Sequence, residues 1–379
     1  MTQLFPAEST ALDQHAMEAA LRAALVGLGA ASPNPAVGAV VLTEGVMVAA
    51  AGHRRAGEQH AETLALEQAG EAAHGASIYV TLEPCHHRGR QPACSAALIR
   101  AGVAEVVYGI DDPDARVAGR GAQALRDAGI TVRSGVMADA CLALNPGYLT
   151  RQRLGRPRIV LKTAVTLEGA AATSAGESQW ITGPAARRLV HELRGRMASV
   201  LVGAETARRD AVRLNVRFDG QPPWWYQSQH VPHRLVATQS GAAPAPRGGG
   251  GPKWLVGGTR PADGFDAHIA HDDDWSSTLQ TLADRGVNEV LCEGGSGLAA
   301  SLLAAGVVDE WIQMVAPMSL SGSGLPVLRG QGVERLEQAR RGRLAHLAQL
   351  GQDAVLWTVF DDHPSFADQA DWLNRLEPK

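Results

Sequence analysis

Apolar residues recur at helical spacing close to the start of the chain. This spacing predicts an amphipathic helix that ends near Gly29, before a proline-containing break at 32–35. The apolar residues of its buried face are Met17, Leu21, Leu25 and Leu28. Two further apolar runs, at 39–42 and 46–51, flank a Thr-Glu-Gly turn and predict a hairpin of two buried strands.

Strand and helix candidates then alternate along the first 150 residues. A helix is predicted from His60 to about Ala69, a strand over 78–81, and the same rhythm again through 103–109 and 121–131. The alternation predicts a layered α/β domain over residues 1–150. A basic connector over 151–157 leads into a second α/β domain, residues 151–379. Its strand and helix candidates lie at 158–163, 184–196, 198–202, 234–237, 254–256, 290–293 and 296–305.

Length, charge and cysteine content narrow the function. A chain of 379 residues exceeds one ordinary domain, and a net charge of -4 with a pI near 6.4 gives no basic footprint for nucleic acid, so a small-molecule substrate is expected. We find no targeting segment and no apolar run long enough to span a bilayer, and therefore expect no membrane partner and a cytoplasmic location. Four cysteines do not make a disulfide framework, and we interpret Cys141 and Cys292 as reduced core thiols.

One group of residues carries recognisable chemistry. His60-Ala61-Glu62 is followed downstream by Pro84-Cys85 and then by Cys94. One imidazole and two thiolates suit tetrahedral Zn²⁺ and leave a fourth position for water, which the metal activates for attack on a ring carbon bearing an amine. Glu62 is not needed as a ligand and is the natural proton carrier. A His-x-Glu followed by Pro-Cys is the arrangement of nucleobase deaminases, so the sequence predicts hydrolytic deamination.

The loop between the two cysteines departs from that arrangement. Eight residues separate Cys85 from Cys94, whereas the usual gap is two. The longer loop is expected to widen the pocket or to contact a phosphate. We interpret His86 and His87 within it as solvated loop histidines, with a contact to a substrate phosphate as the alternative.

Three features of the second half allow more than one interpretation. The turn from Glu293 to Leu298 lies where a strand ends and a helix begins, which suits a phosphate, although such turns also arise for steric reasons alone. The polar segment 176–182 is either functional or a helix start with Thr182 as N-cap before Pro184. The aromatic cluster 224–226 is interpreted as packing against its own domain or a partner subunit, with a stacking platform as the alternative.

Several of these motifs together resemble the bifunctional riboflavin-biosynthesis deaminase/reductase family. They are Ser32-Pro33-Asn34-Pro35 with Val37-Gly38, Arg55-Ala56-Gly57, His60-Ala61-Glu62, Thr81 to Cys85, Val117 to Gly121, and Gly176 to Thr182. The resemblance spans both halves. It implies a cytidine-deaminase-like three-layer α/β/α domain at the N-terminus and a dihydrofolate-reductase-like α/β domain at the C-terminus. It further implies deamination of a diamino-ribosylaminopyrimidinone phosphate, NADPH-dependent reduction of its ribosyl group to ribityl, and a homo-oligomer.

The resemblance also implies roles for individual residues. His60, Cys85 and Cys94 would bind zinc, and Glu62 would transfer protons. NADPH would contact Ala164, Trp180, Thr206, Asp210, Gly295, Ser296, Gly297, Leu298, Ala299, Ala300 and Ser301. Substrate would contact Ser178, Arg194, Leu214, Arg217 and Glu293, and the arginines suit a sugar phosphate because a guanidinium can hold it with two hydrogen bonds.

The second half departs from the family pattern in two places. The family shows Ser-Leu-Asp-Gly and a basic residue where this chain has Thr166 to Ala170, including Glu168, and it shows Asp-x-Pro where this chain has Asp210-Ala211-Val212. An alternative is therefore a homologue that serves a specialised pathway, such as that of a toxoflavin-like azapteridine, with an altered or inactive reductase half.

Two alternatives from other functional classes predict different sequence features. A base deaminase of the transfer-RNA-editing type predicts basic grooves and closely spaced cysteines, which this chain lacks. A scaffold protein with a purely structural zinc site predicts loss of Glu62 or a fourth protein ligand.

Overall fold

The structure, a computed structural model, describes residues 9–86, 92–226, 230–271 and 274–375. The chain divides into two compact units. Unit 1 holds the chain up to Arg153, the aromatic segment from Trp224, and the C-terminal segment from Asp368; unit 2 holds Leu154–Pro223 and His230–Ala367. The predicted division at residue 150 was a single cut, whereas unit 1 is completed by two later segments of the chain.

Unit 1 is a five-stranded sheet with helices on both faces. The strand order is β2-β1-β3-β4-β5, with antiparallel pairing of β1 to β2 and β3 and parallel pairing of β3, β4 and β5. The strands are β1 (Gly38–Thr43), β2 (Val46–Gly52), β3 (Ser77–Leu82), β4 (Glu105–Ile110) and β5 (Thr131–Ser134). The helices are α1 (Ala11–Ala24), α2 (Ala61–Ala69), α3 (Cys94–Ala101), α4 (Arg120–Asp127), α5 (Ala138–Leu144) and α6 (Pro146–Leu154), with 3-10 turns at Leu25–Gly27 and Gly70–Ala73.

Alternation along the strands builds a separate core on each face of this sheet. On β1, Val40 packs into a cluster with α1 and α5, while its neighbours Ala39 and Val41 pack into a second cluster with α2, α3 and α4. Successive side chains of a strand point to opposite faces, so one short apolar run serves both cores. The α/β/α layering predicted for this half is confirmed.

Two local predictions for unit 1 were wrong, and a third was right about packing but not about which core the segment joins. Strand β2 was expected to be buried, but it is an edge strand whose first residues Val46, Met47 and Val48 are exposed. The basic connector predicted from residue 151 is the last turn of α6 as far as Leu154. The aromatic cluster does pack, as expected, but Trp225 is buried in the core of unit 1 although it follows 70 residues of unit 2 in the chain.

Unit 2 is built on a nine-stranded sheet in the order β11-β10-β9-β8-β12-β6-β13-β16-β15. All pairs from β11 to β13 are parallel, and β16 and β15 add antiparallel strands at one end. The strands are β6 (Arg158–Val165), β7 (Ala170–Ala172), β8 (Ser199–Gly203), β9 (His233–Ala237), β10 (Lys253–Val256), β11 (Ala267–Ile269), β12 (Glu289–Cys292), β13 (Glu310–Val315), β14 (Leu325–Pro326), β15 (Arg343–Leu350) and β16 (Asp353–Val359). The helices are α7 (Pro184–Arg196), α8 (Ala204–Asp210), α9 (Trp275–Asp284) and α10 (Ser296–Ala304), with a 3-10 turn at Leu336–Gln338, and α11 (Phe366–Arg375) begins in unit 2 and continues into unit 1.

The alternation of strand and helix predicted for this half is confirmed, and α7 has the predicted bounds. Its N-cap, however, is Gly183 and not Thr182. The Gly183 amide donates to Asp353 Oδ2 at 2.7 Å, and Thr182 contributes its carbonyl oxygen to Arg187 at 2.8 Å. Pro184 at the first helical position fits this start because its ring already holds a helical φ.

No helix in the described part of the chain combines the length and the apolar character that a membrane span requires.

Candidate active sites

The predicted metal ligands converge at one end of the sheet of unit 1. His60 is the N-cap residue of α2, Cys85 follows β3, and Cys94 is the first residue of α3. A parallel strand followed by a helix brings the start of α3 back beside the end of β3, so residues nine positions apart become neighbours. The backbone amide of Cys94 donates to Cys85 Sγ at 3.4 Å.

The three donor atoms have the spacing of a tetrahedral metal site. His60 Nδ1 lies 3.2 Å from Cys94 Sγ and 3.6 Å from Cys85 Sγ, and one donor atom from each residue lies within 4.8 Å of the others. Zinc bonds of about 2.0 Å to nitrogen and about 2.3 Å to sulfur at tetrahedral angles place such donors roughly 3.6 Å apart. The residues present therefore fit a zinc ion with one open position.

Electrostatics at this site favour metal binding and proton transfer. Hydrogen bonding from the Cys94 thiol, aided by His60, lowers the pKa of Cys85 to about 4 against the opposing effect of burial. A thiolate is the form of cysteine that binds metals. Glu62 stands in the first turn of α2 and is buried, and this burial raises the pKa of its carboxyl group. A carboxyl group so shifted can both accept and donate a proton near neutral pH.

A cavity of about 480 Å³ opens beside these residues, and part of its wall was not predicted. His53 is buried there with its ring centroid 5.2 Å from that of His60. Its Nδ1 donates to the Gln59 carbonyl oxygen at 2.9 Å, which leaves Nε2 to accept from Asn34 Nδ2 at 3.0 Å. Asn34 belongs to the Ser-Pro-Asn-Pro motif, but the motif alone did not predict its hydrogen bond to His53.

Glu83 also lines this cavity and binds the loop that leads into α4. The buried Glu83 carboxylate accepts from the backbone amides of Gly119 at 2.9 Å and Ala122 at 3.1 Å. A Cβ at Gly121 would lie 1.9 Å from the Pro84 carbonyl oxygen, so the close approach of these two loops requires glycine there. The Val117 to Gly121 motif is thus explained by its packing behind the metal site.

Asp112, Asp114 and Arg116 line the cavity in front of that packing. Tyr148 Oη donates to Asp112 Oδ1 at 2.8 Å, and Arg116 pairs with Asp114 while most of its side chain stays exposed. Burial raises the pKa of Asp112 to about 6. These four residues place both an acidic group and a guanidinium at the cavity, and the sequence gave no spacing signal for them.

The remaining histidine and cysteine predictions have mixed outcomes. His86 is exposed, and its Nδ1 lies 2.9 Å from the hydroxyl of Ser95. His87 lies outside the described residues. Cys141 and Cys292 are buried and form no disulfide, as expected for core thiols. Burial raises the pKa of Cys292 to about 12, which keeps this thiol protonated and unreactive.

Unit 2 contains a larger cavity, about 1470 Å³, along the carboxyl ends of its parallel strands. The predicted turn between β12 and α10 lies at its centre. Gly294 and Gly295 have φ values of 142° and 97°, and a Cβ at Gly294 or Gly297 would meet nothing within 4 Å. The turn therefore leaves open room beside the free amides that begin α10, an arrangement that suits the diphosphate of a dinucleotide.

Nearly all residues assigned to this half by resemblance line the cavity. Of the cofactor set, Ala164, Trp180, Thr206, Asp210, Gly295, Ser296, Gly297, Leu298, Ala299 and Ser301 line it, as do Ser178, Arg194, Leu214, Arg217 and Glu293 of the substrate set. Ala300 is the exception, because its Cβ faces Gly330, 3.0 Å from where a Cβ of that glycine would lie. Successive residues of a helix face different directions, so a continuous stretch of α10 does not contact one ligand throughout.

A buried ion pair forms one part of the cavity wall. Arg194 Nη2 donates to Glu293 Oε2 at 2.6 Å, its Nε donates to the other carboxylate oxygen, and its Nη1 donates to the Asn215 carbonyl at 2.9 Å. Burial opposes ionisation of Glu293, but Arg194 and then Lys162 lower the pKa of its carboxyl group below the ordinary value.

Lys162 and His191 were not predicted from the sequence. Burial lowers the pKa of the Lys162 ammonium, with Glu293 acting in the opposite direction. Burial, followed by the charges of Arg194 and Arg217, lowers the pKa of His191 to about 4, so its ring is neutral at physiological pH. Both side chains line the cavity. Lys162 lies on a strand and His191 on an amphipathic helix, and no sequence motif marks either of them as a site residue.

The departures from the family pattern fall in two different environments. Ala170 is buried where β7 pairs with β14, and the Glu168 carboxylate accepts from Ser319 Oγ at 3.3 Å and from the Leu320 amide. Neither residue is part of the described cavity wall, whereas Ala211 and Val212 are. Ala211 follows α8 in a left-handed conformation with φ of 46°, and Val212 stands where the family pattern has proline.

Two protein families match the chain in succession. Residues 10–110 match the cytidine and deoxycytidylate deaminase zinc-binding region, and residues 157–356 match the RibD C-terminal domain. The chain is 38% identical to riboflavin biosynthesis protein RibD of Escherichia coli over 372 residues, covering 92% of this chain and 99% of that protein. It is 36% identical to RibD of Haemophilus influenzae, covering 90% of this chain and 95% of that protein.

Solved structures agree with these sequence matches. A structure of Acinetobacter baumannii RibD superposes with a TM-score of 0.84 at 36% identity, covering 92% of this chain and 98% of that one. A Thermotoga maritima structure, named as a diaminohydroxyphosphoribosylaminopyrimidine deaminase/5-amino-6-(5-phosphoribosylamino)uracil reductase, gives a TM-score of 0.81 at 28% identity, covering 92% of this chain and 99% of that one. The similarity therefore extends over both halves of the chain.

Proposed function

This chain belongs to the RibD family of riboflavin-biosynthesis proteins, and on that premise we propose that one polypeptide carries two consecutive reactions. The first is zinc-dependent hydrolytic deamination of diaminohydroxyphosphoribosylaminopyrimidine. The second is NADPH-dependent reduction of the resulting 5-amino-6-(5-phosphoribosylamino)uracil, in which the ribosyl group becomes ribityl. We assign the deaminase to residues 1–150 and the reductase to residues 151–379.

The observation that carries this proposal is the pairing of two different sites in one chain. The described residues of unit 1 bring His60, Cys85 and Cys94 together beside a buried glutamate, and unit 2 has a cavity built around a glycine turn and a helix N-terminus. The relatives named above carry riboflavin-pathway names. Nothing favours the alternative of a specialised azapteridine pathway.

In the deaminase, His60, Cys85 and Cys94 would hold the zinc ion. Zinc, when bound, supplies the Lewis acidity that activates a water molecule at neutral pH. Glu62 accepts the proton of that water and delivers it to the departing ammonia, for which its raised pKa is suited. His53, held by Gln59 and Asn34, closes one side of the site.

In the reductase, NADPH would lie along the carboxyl ends of the strands with its diphosphate at the start of α10, contacting the cofactor residues named above other than Ala300. NADPH supplies the hydride. Ser178, Arg194, Leu214, Arg217 and Glu293 would hold the substrate, and we propose that Arg217 contacts its phosphate while the Arg194–Glu293 pair orients the sugar.

Lys162 is the group in this cavity best placed to transfer a proton. Reduction of the ribosyl group opens the sugar ring, so the ring oxygen must receive a proton as its bond to carbon breaks. Lys162 is buried beside Glu293, and burial lowers the pKa of its ammonium, which makes it a readier proton donor than an exposed lysine.

We also infer the class of substrate, the assembly and the location of the protein. The substrate is a small pyrimidine, consistent with the acidic balance of the chain. We propose a cytoplasmic homo-oligomer that acts on neither nucleic acid nor a membrane.

A single assay tests the bifunctional proposal. Purified protein loaded with zinc is given the diaminopyrimidine phosphate and NADPH, and ammonia release and NADPH oxidation are followed in the same tube. We expect both signals, with NADPH oxidation lagging behind ammonia. Ammonia release without NADPH oxidation would refute the reductase half and would favour the specialised-pathway alternative.

A further inference from the structure

Two aromatic side chains in the cavity of unit 2 have no role in the function proposed above. His271 follows β11 and Trp275 begins α9, and both line the cavity. Their ring centroids are 4.4 Å apart with the rings tilted by 37°. Trp275 Nε1 donates to Ser301 Oγ at 2.8 Å, which fixes the indole against α10. The histidine ring is therefore backed by a rigid, buried surface.

The sheet topology separates this pair from the proposed reaction centre. Strands β6, β12, β8, β9, β10 and β11 are parallel, so their carboxyl ends share one edge of the sheet. Lys162 lies on β6, on one side of the turn between β12 and α10, whereas β11 lies on the other side. Neighbouring strands are about 4.8 Å apart, so the four steps from β12 to β11 span on the order of 19 Å.

This separation fixes which end of a dinucleotide would reach His271. With the diphosphate at the start of α10 and the reactive ring directed toward Lys162, the second base must extend toward β9 and β11. The hydroxyl-bearing residues Thr238 and Ser240, which follow β9, line the cavity along that path. The side chain that would meet the second base at the end of that path is His271.

Local hydrogen bonds set which ring nitrogen of His271 carries the hydrogen when the ring has only one. Thr278 Oγ1 donates to the Asp274 carbonyl oxygen at 3.0 Å, so its only hydrogen is already used. His271 Nδ1 lies 2.7 Å from that hydroxyl oxygen and must be the donor to it. Nε2 is then an acceptor, and no hydrogen bond to it is found among the residues that the structure describes.

We propose that His271 recognises the adenine base of NADPH, with Nε2 accepting a hydrogen bond from the exocyclic amine. Trp275 and Thr278 hold the ring in the required orientation. An acceptor at this position favours a purine that carries an amine over one that carries a carbonyl oxygen. This inference rests on the proposed reductase function, and it adds a recognition site for the part of the cofactor that does not react.

The test compares NADPH with its hypoxanthine analogue, in which oxygen replaces the exocyclic amine. Dissociation constants are measured by calorimetry on the full chain, with no substrate present. We expect the wild-type protein to bind NADPH roughly three- to tenfold more tightly than the analogue, the effect of one hydrogen bond to a neutral group. His271→Phe keeps a ring but lacks the acceptor, so it should bind both compounds with the affinity that the wild type shows for the analogue.

A neighbouring histidine provides the matched control. His268 lies on β11, three residues before His271, and is not among the residues that line the cavity; its Nε2 is 3.1 Å from the Gly257 carbonyl oxygen. His268→Ala should keep the preference for NADPH.

Two outcomes would overturn this inference and leave the reductase proposal intact. One is equal binding of both compounds by the wild-type protein. The other is an undiminished preference for NADPH in His271→Phe. Absence of binding of either compound to the wild type would overturn the reductase proposal itself.

Discussion

The guanidinium of Arg194 and the carboxylate of Glu293 form a two-pronged ion pair that is almost fully withdrawn from solvent. The pair connects α7 to the residue that follows β12, and both side chains line the reductase cavity. Their charges neutralise each other, so neither side chain alone supplies the cavity with net charge. Arg217, with Asn215 Oδ1 at 3.0 Å from its Nη1, remains available for an anionic ligand.

Replacing Glu293 should destabilise unit 2. Glu293→Gln leaves a buried guanidinium without its counter-ion, and breaking such a pair costs roughly 3 kcal/mol. We expect faster hydrogen exchange in β12 and loss of NADPH oxidation, with ammonia release retained. Glu337→Gln is the control, because its pair with Arg335 is exposed and contributes little. Equal exchange rates in the two variants would contradict the structural role of the pair.

Lys162 should be required for turnover but not for cofactor binding. In Lys162→Met the proton donor is absent, so the rate of NADPH oxidation should fall on the order of 100- to 10,000-fold, while the dissociation constant for NADPH stays within a few-fold of wild type. Lys253→Met, on β10 and outside the cavity wall, should leave both unchanged. A parallel loss of binding and turnover in Lys162→Met would mean that this lysine holds the ligand and does not transfer the proton.

Glu62→Gln should separate metal binding from deamination. The amide keeps the size of the side chain but cannot accept a proton, so ammonia release should fall on the order of 100- to 10,000-fold while zinc content stays at one ion per chain. Elemental analysis and an ammonia assay measure the two effects. Glu67→Gln, on the same helix but hydrogen-bonded to Gln59 at the surface, is the control. Undiminished ammonia release in Glu62→Gln would refute its role.

Removing the metal should abolish the deaminase activity and leave the reductase activity intact. A chelator, or Cys94→Ala, should abolish ammonia release, while NADPH oxidation continues when the deaminated intermediate is supplied directly. Cys141→Ala also deletes a buried thiol but lies outside the ligand set, so it should retain zinc. Loss of NADPH oxidation on chelation would show that the reductase also depends on the metal.

Local sequence patterns predicted which residues group at the candidate metal site, because these residues lie in short motifs. His60 and Glu62 are two residues apart on one helix start, and Cys85 and Cys94 are joined by a single loop. Asn34, His53 and Arg116 reach the same cavity from three separate loops, so their meeting depends on the tertiary fold. The motifs signalled Asn34, but no spacing linked it to the others.

The boundaries of the two units were also not predictable from local patterns, because segments distant in the chain join the same unit. The aromatic cluster containing Trp225 lies within the sequence of the second half, yet it is buried in unit 1, and no local pattern states which core an apolar segment joins. Strand β2 was misjudged because an edge strand and a central strand can carry equally apolar sequences. Five parallel strands of unit 2 (β6, β8, β9, β10 and β12) were predicted, since burial on both faces makes such a strand a short apolar run. The parallel strands β11 and β13 were not predicted; β11 has only three residues, and along β13 buried and half-buried positions alternate.

His233 should make the stability of unit 2 depend on pH. It lies at the start of β9 with its ring 4.3 Å from Trp254, and its buried Nδ1 has no hydrogen-bond partner among the described residues. Burial lowers its pKa from the ordinary 6.5. The unfolded chain therefore binds a proton more readily than the folded protein, so stability is full above pH 6.5 and is lost as the pH falls below it.

The corresponding experiment compares urea unfolding midpoints as the pH is lowered from neutral for the wild type and His233→Phe. The urea midpoint of the wild type should decrease as the pH is lowered below 6.5. The free energy of unfolding should lose at most about 1.4 kcal/mol per pH unit from this one group. His233→Phe keeps an aromatic ring beside Trp254 and removes the titrating group, so its midpoint should fall less steeply over the same range. His268→Phe, on β11 two strands away in the same sheet, controls for an added phenyl ring. Identical slopes in wild type and His233→Phe would show that His233 is not the group that titrates.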